Sequence, residues 1–248
     1  MKRGLFVGLA LLCLTASSAQ AEEEVRTPVT IGSRVTLGAE WFTETIRNKT
    51  FNQKGHGTWS GVVAGWDYKK GDAVYAGAQA RWTWGKVAGQ RGQDWNLVGR
   101  IGYGWNLSSA LNWYFAPYVG VGYESQRVRF VASSKVHFWY LPIGMMLDYH
   151  FNPNFMVGLK AEYGLMFQAK YRQFVTPRGK IPMANRSRCE VELPFTYLFT
   201  GFSHGHLDIS LVPFWHGWRA AQKMNAELTS PNLIVNMCGA RLDFGWRF

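Results

Sequence analysis

The chain has 248 residues, 47% hydrophobic and 16% aromatic, with 27 Gly and 12 Trp, yet its mean hydropathy is only −0.15. Lys+Arg number 27 against 16 Asp+Glu, a formal charge of +11. That balance excludes a disordered tail, a collagen and, with three Cys, a disulfide scaffold; the lack of any apolar run of ~18 residues excludes a polytopic helical membrane protein.

The first element is a leader. Met1-Lys2-Arg3 is basic, Leu5 to Leu14 is an apolar run, and Ala19-Gln20-Ala21 is an A-x-A site. These three regions in order predict a cleaved signal peptide over 1–21, followed by a short periplasmic segment over 22–29. Cleavage removes Lys2, Arg3 and Cys13, so the mature chain keeps Cys189 and Cys238 and a charge of 25 − 16 = +9.

Beyond residue 30 the hydrophobic period is two. The last stretch is clearest: Ile234, Asn236, Cys238, Ala240, Leu242, Phe244, Trp246 and Phe248 alternate with Val235, Met237, Gly239, Arg241, Asp243, Gly245 and Arg247, one side largely apolar and the other small or charged toward its end. Val74–Trp84, Asp94–Trp105 and Phe155–Phe167 repeat the design. The alternation predicts ten strands, near 30–46, 58–68, 72–85, 94–106, 112–126, 136–151, 154–169, 189–200, 206–218 and 233–248. Short turns at 69–72, 107–111, 152–154 and 201–205 alternate with longer connections near 47–57, 86–93, 127–135, 170–188 and 219–232. That pattern predicts a ten-stranded antiparallel transmembrane β-barrel over 30–248, short turns in the periplasm and long loops outside.

Aromatic spacing points the same way. Trp95 and Trp105 stand ten residues apart on one face of a strand, as do Trp139 and Tyr149. Ten residues at ~3.3 Å, tilted by about 40°, rise roughly 25 Å, the height between the two aromatic girdles of a membrane barrel. Trp41, Trp82, Trp84 and Trp215 fall with the outer girdle; Trp66, Tyr68, Trp113, Phe115, Phe155 and Trp246 fall with the inner.

The terminal Leu242, Phe244, Trp246 and Phe248 resemble the C-terminal strand of Gram-negative outer-membrane β-barrel proteins. The mature chain as a whole is similar to small opacity-protein and OmpA-like transmembrane barrels. The resemblance implies an outer-membrane location and recognition of that last strand by the barrel-assembly machinery. It also implies eight strands where the periodicity gives ten, and it carries over no functional residue.

Charge is sorted along the chain. The five long connections hold sixteen Lys/Arg, among them Arg47, Arg127, Arg129, Arg172, Arg178, Lys180, Arg186 and Arg188, against one acid, Glu227. The remainder of the mature chain is then +9 − 15 = −6. Such a crown suits lipopolysaccharide or another polyanion, because Arg–phosphate contacts are charge-assisted and often bidentate. Nucleic acid is disfavoured by the leader and the barrel pattern. The eight residues named are the expected binding set.

Facing inward by parity are Arg34, Glu40, Arg81, Arg100, Glu124, Lys160, Glu162, Arg241 and Asp243, with further acids such as Asp208 and Glu192. Charges in a narrow lumen must pair, so the expectation is a salt-bridged plug, with a narrow channel as the alternative. No catalytic, metal or cofactor site stands out. For His56 and His137 the residue order alone marks out no catalytic partner, and Ser203-His204-Gly205-His206 reads as a short turn. Glu44, Asp94, Glu190 and His216 could assemble a hydrolytic site at the outer rim, the enzymatic alternative. Cys189 and Cys238 fall on strands separated by a third, so about 9–10 Å apart, beyond disulfide reach. The reading is a non-enzymatic outer-membrane barrel with a structural or surface-binding role.

Overall fold

The computed structural model describes residues 32–50, 52–107, 112–130, 132–173, 181–202, 205–222 and 232–248. The expected leader, the 22–29 segment and the loop residues Arg178 and Lys180 lie outside the described residues. Eleven strands follow in order: β1 (Ser33–Asn48), β2 (Gln53–Tyr68), β3 (Ala73–Val87), β4 (Gln90–Asn106), β5 (Trp113–Phe130), β6 (Ala132–Asn152), β7 (Phe155–Gln173), β8 (Ile181–Glu192), β9 (Phe195–Phe202), β10 (Gly205–Gln222) and β11 (Leu233–Arg247).

Neighbouring strands pair antiparallel throughout, and the wall closes. β1 runs against β11 from Arg34↔Arg247 to Asn48↔Leu233, and reciprocal backbone bonds join Ser33 and Phe248 at 3.0 and 2.9 Å. β8 and β9 both lie between β7 and β10. They are two halves of one stave, interrupted at Leu193-Pro194 because proline has no N–H for the ladder. The backbone there is still used: Gly158 N donates to Pro194 O at 2.8 Å and Leu193 N to Pro213 O at 3.0 Å. The barrel therefore has ten staves, as the periodicity predicts.

The outer face is apolar where it meets lipid. Leu37, Leu97, Ile101, Val119, Val121, Leu141, Ile143 and Leu211 are exposed between two bands of rings. In the upper band Trp82 packs on Trp84 at 6.4 Å, Trp95 on Tyr123 at 4.8 Å and Tyr123 on Trp139 at 5.0 Å. In the lower band Tyr103, Trp105 and Phe115 follow one another at 5.1 and 6.1 Å, and Trp113, Tyr149 and Phe151 at 4.5 and 4.6 Å. Exposed apolar surface of this extent is costly in water, and the two bands mark the interfaces of a bilayer.

The strands run past the upper band further than the hydrophobic alternation predicts. Three connections expected as loops are hairpins on tall strand pairs: β1 ends at Asn48 and β2 begins at Gln53, β3–β4 turns at Ala88-Gly89, and β5 ends at Phe130 with β6 beginning at Ala132. Ala88 and Gly89 have φ of 48° and 78°, the left-handed pair that a two-residue hairpin turn needs. Above the bilayer the outward face turns polar, which erases the period-two signal while the backbone ladder continues. The eighth stave likewise starts at Ile181, inside the stretch 170–188 expected as a loop.

Cys189 and Cys238 are both free, the first half-buried and the second exposed. With the leader removed, thiol labelling of unfolded, unreduced protein is expected to modify two cysteines. A second prediction concerns the outer wall: Val121→Arg, between the bands, costs about 2–4 kcal/mol in unfolding from vesicles, and the same change above the upper band about 0–1.

Candidate functional site

The lumen is built in three layers. At the short-turn end, Arg34 Nε and Nη2 donate to Asp208 at 2.9 and 2.5 Å and Nη2 also to Ser210 Oγ at 2.9 Å. Arg247 Nε reaches the same carboxylate at 2.7 Å, so the first and last strands share one acid on β10. Lys69 Nζ bonds Asp148 at 2.8 Å. Sequence reasoning reads Lys69 as a turn residue; it follows β2 directly, and its side chain folds into the lumen mouth.

The middle layer is an ion-pair chain. Arg241 bonds Asp243 at 2.9 Å and Glu192 at 3.0 Å. Lys160 joins Glu192 to Glu190 at 3.2 and 3.1 Å. Arg100 Nε donates to Glu162 Oε2 at 2.8 Å, and Tyr118 donates to the same oxygen at 3.3 Å. Arg81 lies 3.3 Å from Asp94 and 3.8 Å from Glu40. Glu124 accepts from Asn96 at 3.2 Å. All nine residues of the expected lumen network thus lie in the barrel interior, each with a charged or polar partner.

The centre of this layer is Arg188. Its guanidinium donates to Glu162 Oε1 at 2.6 Å, to Glu124 Oε2 at 3.2 Å and to Glu190, and lies 4.5 Å from the centre of the Tyr140 ring. The loop reading places Arg188 in the basic crown; that is corrected here. Because β8 starts at Ile181, Arg188 belongs to the wall, and its side chain is 1% exposed. The signal that finds it is local parity: Arg188, Glu190 and Glu192 alternate on one face. Glycines make room across the wall. A Cβ on Gly122 would fall 2.2 Å from Tyr140 Cζ, and one on Gly164 3.0 Å from Arg188 Cβ.

Above and between the charges lies an apolar layer. Phe42, Ile46, Trp59, Phe138, Phe214 and Trp218 belong to one buried cluster that also contains Val87, Val136, Ala169, Met183 and Val235. Phe42 stacks on Trp59 at 6.0 Å, and Phe138 meets Trp218 edge-on at 5.6 Å. Toward the short turns a polar cavity of about 80 Å³, lined by Arg34, Asp67, Lys69, Gln79 and Arg100 among others, has room for about two or three waters.

The enzymatic alternative places Glu44, Asp94, Glu190 and His216 at the rim. They do face inward, but at 0%, 0%, 5% and 0% exposure they lie deep under Ile46 and Trp218, which follow Glu44 and His216 toward the long-loop end. His216 Nδ1 is 3.4 Å from Arg81 and Nε2 is 3.7 Å from Glu124; Gln126 donates to Glu44. This set is buried in the barrel interior among the ion pairs, below the rim where the alternative places it. Among the described residues no three His, Cys, Asp or Glu side chains form a metal site. His56, read as a loop residue, is on β2 and pairs with Thr45 Oγ1 at 3.0 Å.

The rim carries the remaining expected residues. Arg47, Arg127 and Arg172 are exposed on β1, β5 and β7, and Arg186 is half-buried on β8. Lys49, Lys54, Lys86, Arg91, Lys170 and Arg219 are exposed at the same end. Arg129 lies on β5. The acids described on the upper wall, Glu44, Asp94, Glu124 and Glu190, are buried inside. Among the described residues at this end the exposed charges named are basic, while the acids face inward, where Arg81 and Arg188 pair with Asp94, Glu124 and Glu190.

The closed ladder and the two ring bands decide the architecture. The chain is an outer-membrane-type β-barrel. Solved structures similar to this barrel include the translocator domain of the autotransporter NalP from Neisseria meningitidis, at 12% identity, with 98% of this chain and 96% of that one covered and a TM-score of 0.49. Neisserial surface protein A, NspA, gives 9% identity over 84% of this chain and 95% of its own at a TM-score of 0.38. Ail, the attachment invasion locus protein of Yersinia pestis, gives 10% over 88% and 100% at 0.38. These three stay below a TM-score of 0.5, so the assignment rests on the barrel's own geometry. No protein-family model and no curated protein matches the chain.

The hub gives a prediction. Arg188→Ala leaves three carboxylates facing one another in a closed space and is expected to lower stability by about 3–5 kcal/mol. Arg172→Ala on the exposed rim costs about 0–1. Denaturant unfolding in lipid vesicles, read by heat-modifiable migration, compares the two; equal effects contradict the hub.

Proposed function

We propose that this barrel is a non-enzymatic, non-conducting protein of the bacterial outer membrane whose basic rim binds anionic surface ligands, lipopolysaccharide first. The observation that carries the reading is the separation of charge: exposed Arg and Lys at the long-loop end, over carboxylates that are buried and occupied inside. A rim built only for solubility works with mixed signs; a one-signed rim favours an anionic neighbour. The bilayer surface that such a rim meets carries phosphate and carboxylate, and Arg matches both. Host or environmental polyanions fit the same chemistry. The terminal Leu242, Phe244, Trp246 and Phe248 line the outer face beside the closing strand, a placement that suits their proposed reading by the assembly machinery.

A filled lumen supports a structural or binding role over transport. The buried apolar cluster lies above and between the ion pairs, and ions passing it would be desolvated without a partner. The purified chain in planar bilayers is expected to give no resolved steady channels; their appearance would overturn the non-conducting reading.

Binding is tested with a rim variant, Arg47→Gln/Arg127→Gln/Arg172→Gln. Losing three charges is expected to weaken heparin binding by about 1–2 kcal/mol, roughly tenfold, and to flatten its dependence on salt. Binding that does not change with ionic strength or with these substitutions would contradict the proposal.

A further inference from the structure

The wall between β7 and β8 carries an irregularity that turns an arginine outward. Pairing runs from Lys160↔Glu192 to Leu165↔Ser187, lapses over Met166–Ala169 opposite Met183–Arg186, and resumes at Lys170↔Pro182. On β7 the lapse contains Gln168 at φ 50°. On the other flank, β8 slips against β10 between Arg219 and Ala221. Such bulges re-aim side chains. Arg188 points into the lumen, so strict alternation would send Arg186 inward too. Instead Arg186 lines a notch of about 430 Å³ on the outside of the barrel, together with Lys49, Arg219, Ser187, Tyr163 and Ile234.

The notch has the chemistry of a phosphate site. Three cations from three different strands or turns converge on it, and no acidic side chain among the described residues lines it. Arg219 Nε donates to Ser187 Oγ at 3.0 Å, which fixes the guanidinium and leaves the serine hydroxyl proton free to donate. Ile234 adds apolar surface level with Arg219, its direct cross-strand partner, and Tyr163, opposite Cys189 two residues below Ser187, adds a ring beneath the cations. Position matters as much as composition. On β10, Trp215 is exposed in the upper ring band, and Arg219 stands four residues beyond it, about 10 Å higher along a tilted strand. That is the level of lipid headgroups, and Tyr163, in the lining of the notch, is exposed on the outer face of β7. Its volume is within the range of small-molecule sites.

We infer that this notch binds the phosphate-bearing headgroup of an outer-leaflet glycolipid, with Arg186, Arg219 and Lys49 on the phosphate and Tyr163 against the first part of the acyl region. The inference rests on the proposed outward orientation of the basic rim, and it adds a discrete site that a diffuse rim does not require.

The test uses the full mature chain in nanodiscs and three probes: bisphosphorylated lipid A, the same lipid dephosphorylated, and soluble heparin. Arg186→Gln/Arg219→Gln is expected to lose about tenfold in lipid A binding by native mass spectrometry while keeping heparin binding within about twofold. The rim variant is expected to weaken heparin binding about tenfold and to weaken lipid A binding by less than the Gln pair does. Arg186→Lys/Arg219→Lys, which keeps the charge, retains lipid A binding better than the Gln pair, and heat-modifiable migration verifies the barrel in each. Lipid A binding unchanged by the Gln pair, or weakened equally by both variants, overturns the notch. Equal binding of the dephosphorylated lipid, or displacement of lipid A by equimolar inorganic phosphate, also overturns it. Heparin binding unaffected by the rim variant instead counts against the rim proposal alone.

Discussion

A backbone that crosses lipid has to satisfy its own N–H and C=O groups, and in a β protein that requires the sheet to close. Here the requirement is met by β1 running against β11 along its full length, ending in the paired bonds between Ser33 and Phe248. Closure then divides every strand into two environments. One face must be apolar between the ring bands; the other looks into a space too narrow for free charges. The alternation, the aromatic belts and the paired charges of the interior all follow from that division.

Inside, charge is tolerated because it is matched. The two end strands are tied by Arg34 and Arg247 on one Asp208, so the seam of the barrel is also an ion-paired seam. Further up, Arg188 joins Glu124, Glu162 and Glu190, on β5, β7 and its own strand, and Arg100 extends the chain to β4. Buried ion pairs offer little net stability compared with apolar packing, yet breaking one is expensive. Such a network therefore specifies the register of strands far apart in sequence more than it strengthens them. The apolar layer of Phe42, Trp59, Phe138 and Trp218 supplies burial above it.

Much of this was readable from residue order. The ten staves, the inward set and the two belts follow from a period of two and a ten-residue aromatic spacing, both of which report side-chain direction. What escaped was set by the backbone. The tall hairpins beyond the upper band have polar outer faces, so Ala88-Gly89 and the β5–β6 connection read as loops. Arg188 went with the loop for the same reason, although its alternation with Glu190 and Glu192 was available. The break at Leu193-Pro194 is marked by the proline. The outward turn of Arg186 has no such mark, because the lapse in pairing depends on Gln168 adopting φ 50° on the neighbouring strand.

The central claim is that the lumen is sealed and the chemistry of the molecule lies on its surface. Cysteine accessibility tests it directly, in folded protein with Cys189 and Cys238 replaced by serine. A membrane-impermeant thiol reagent added from the rim side is expected to modify Arg172→Cys rapidly and to leave Val98→Cys and Val235→Cys unmodified until the barrel is unfolded. Rapid modification of the two inward positions in heat-modifiable, folded protein would contradict the sealed lumen and return the barrel to the class of channels.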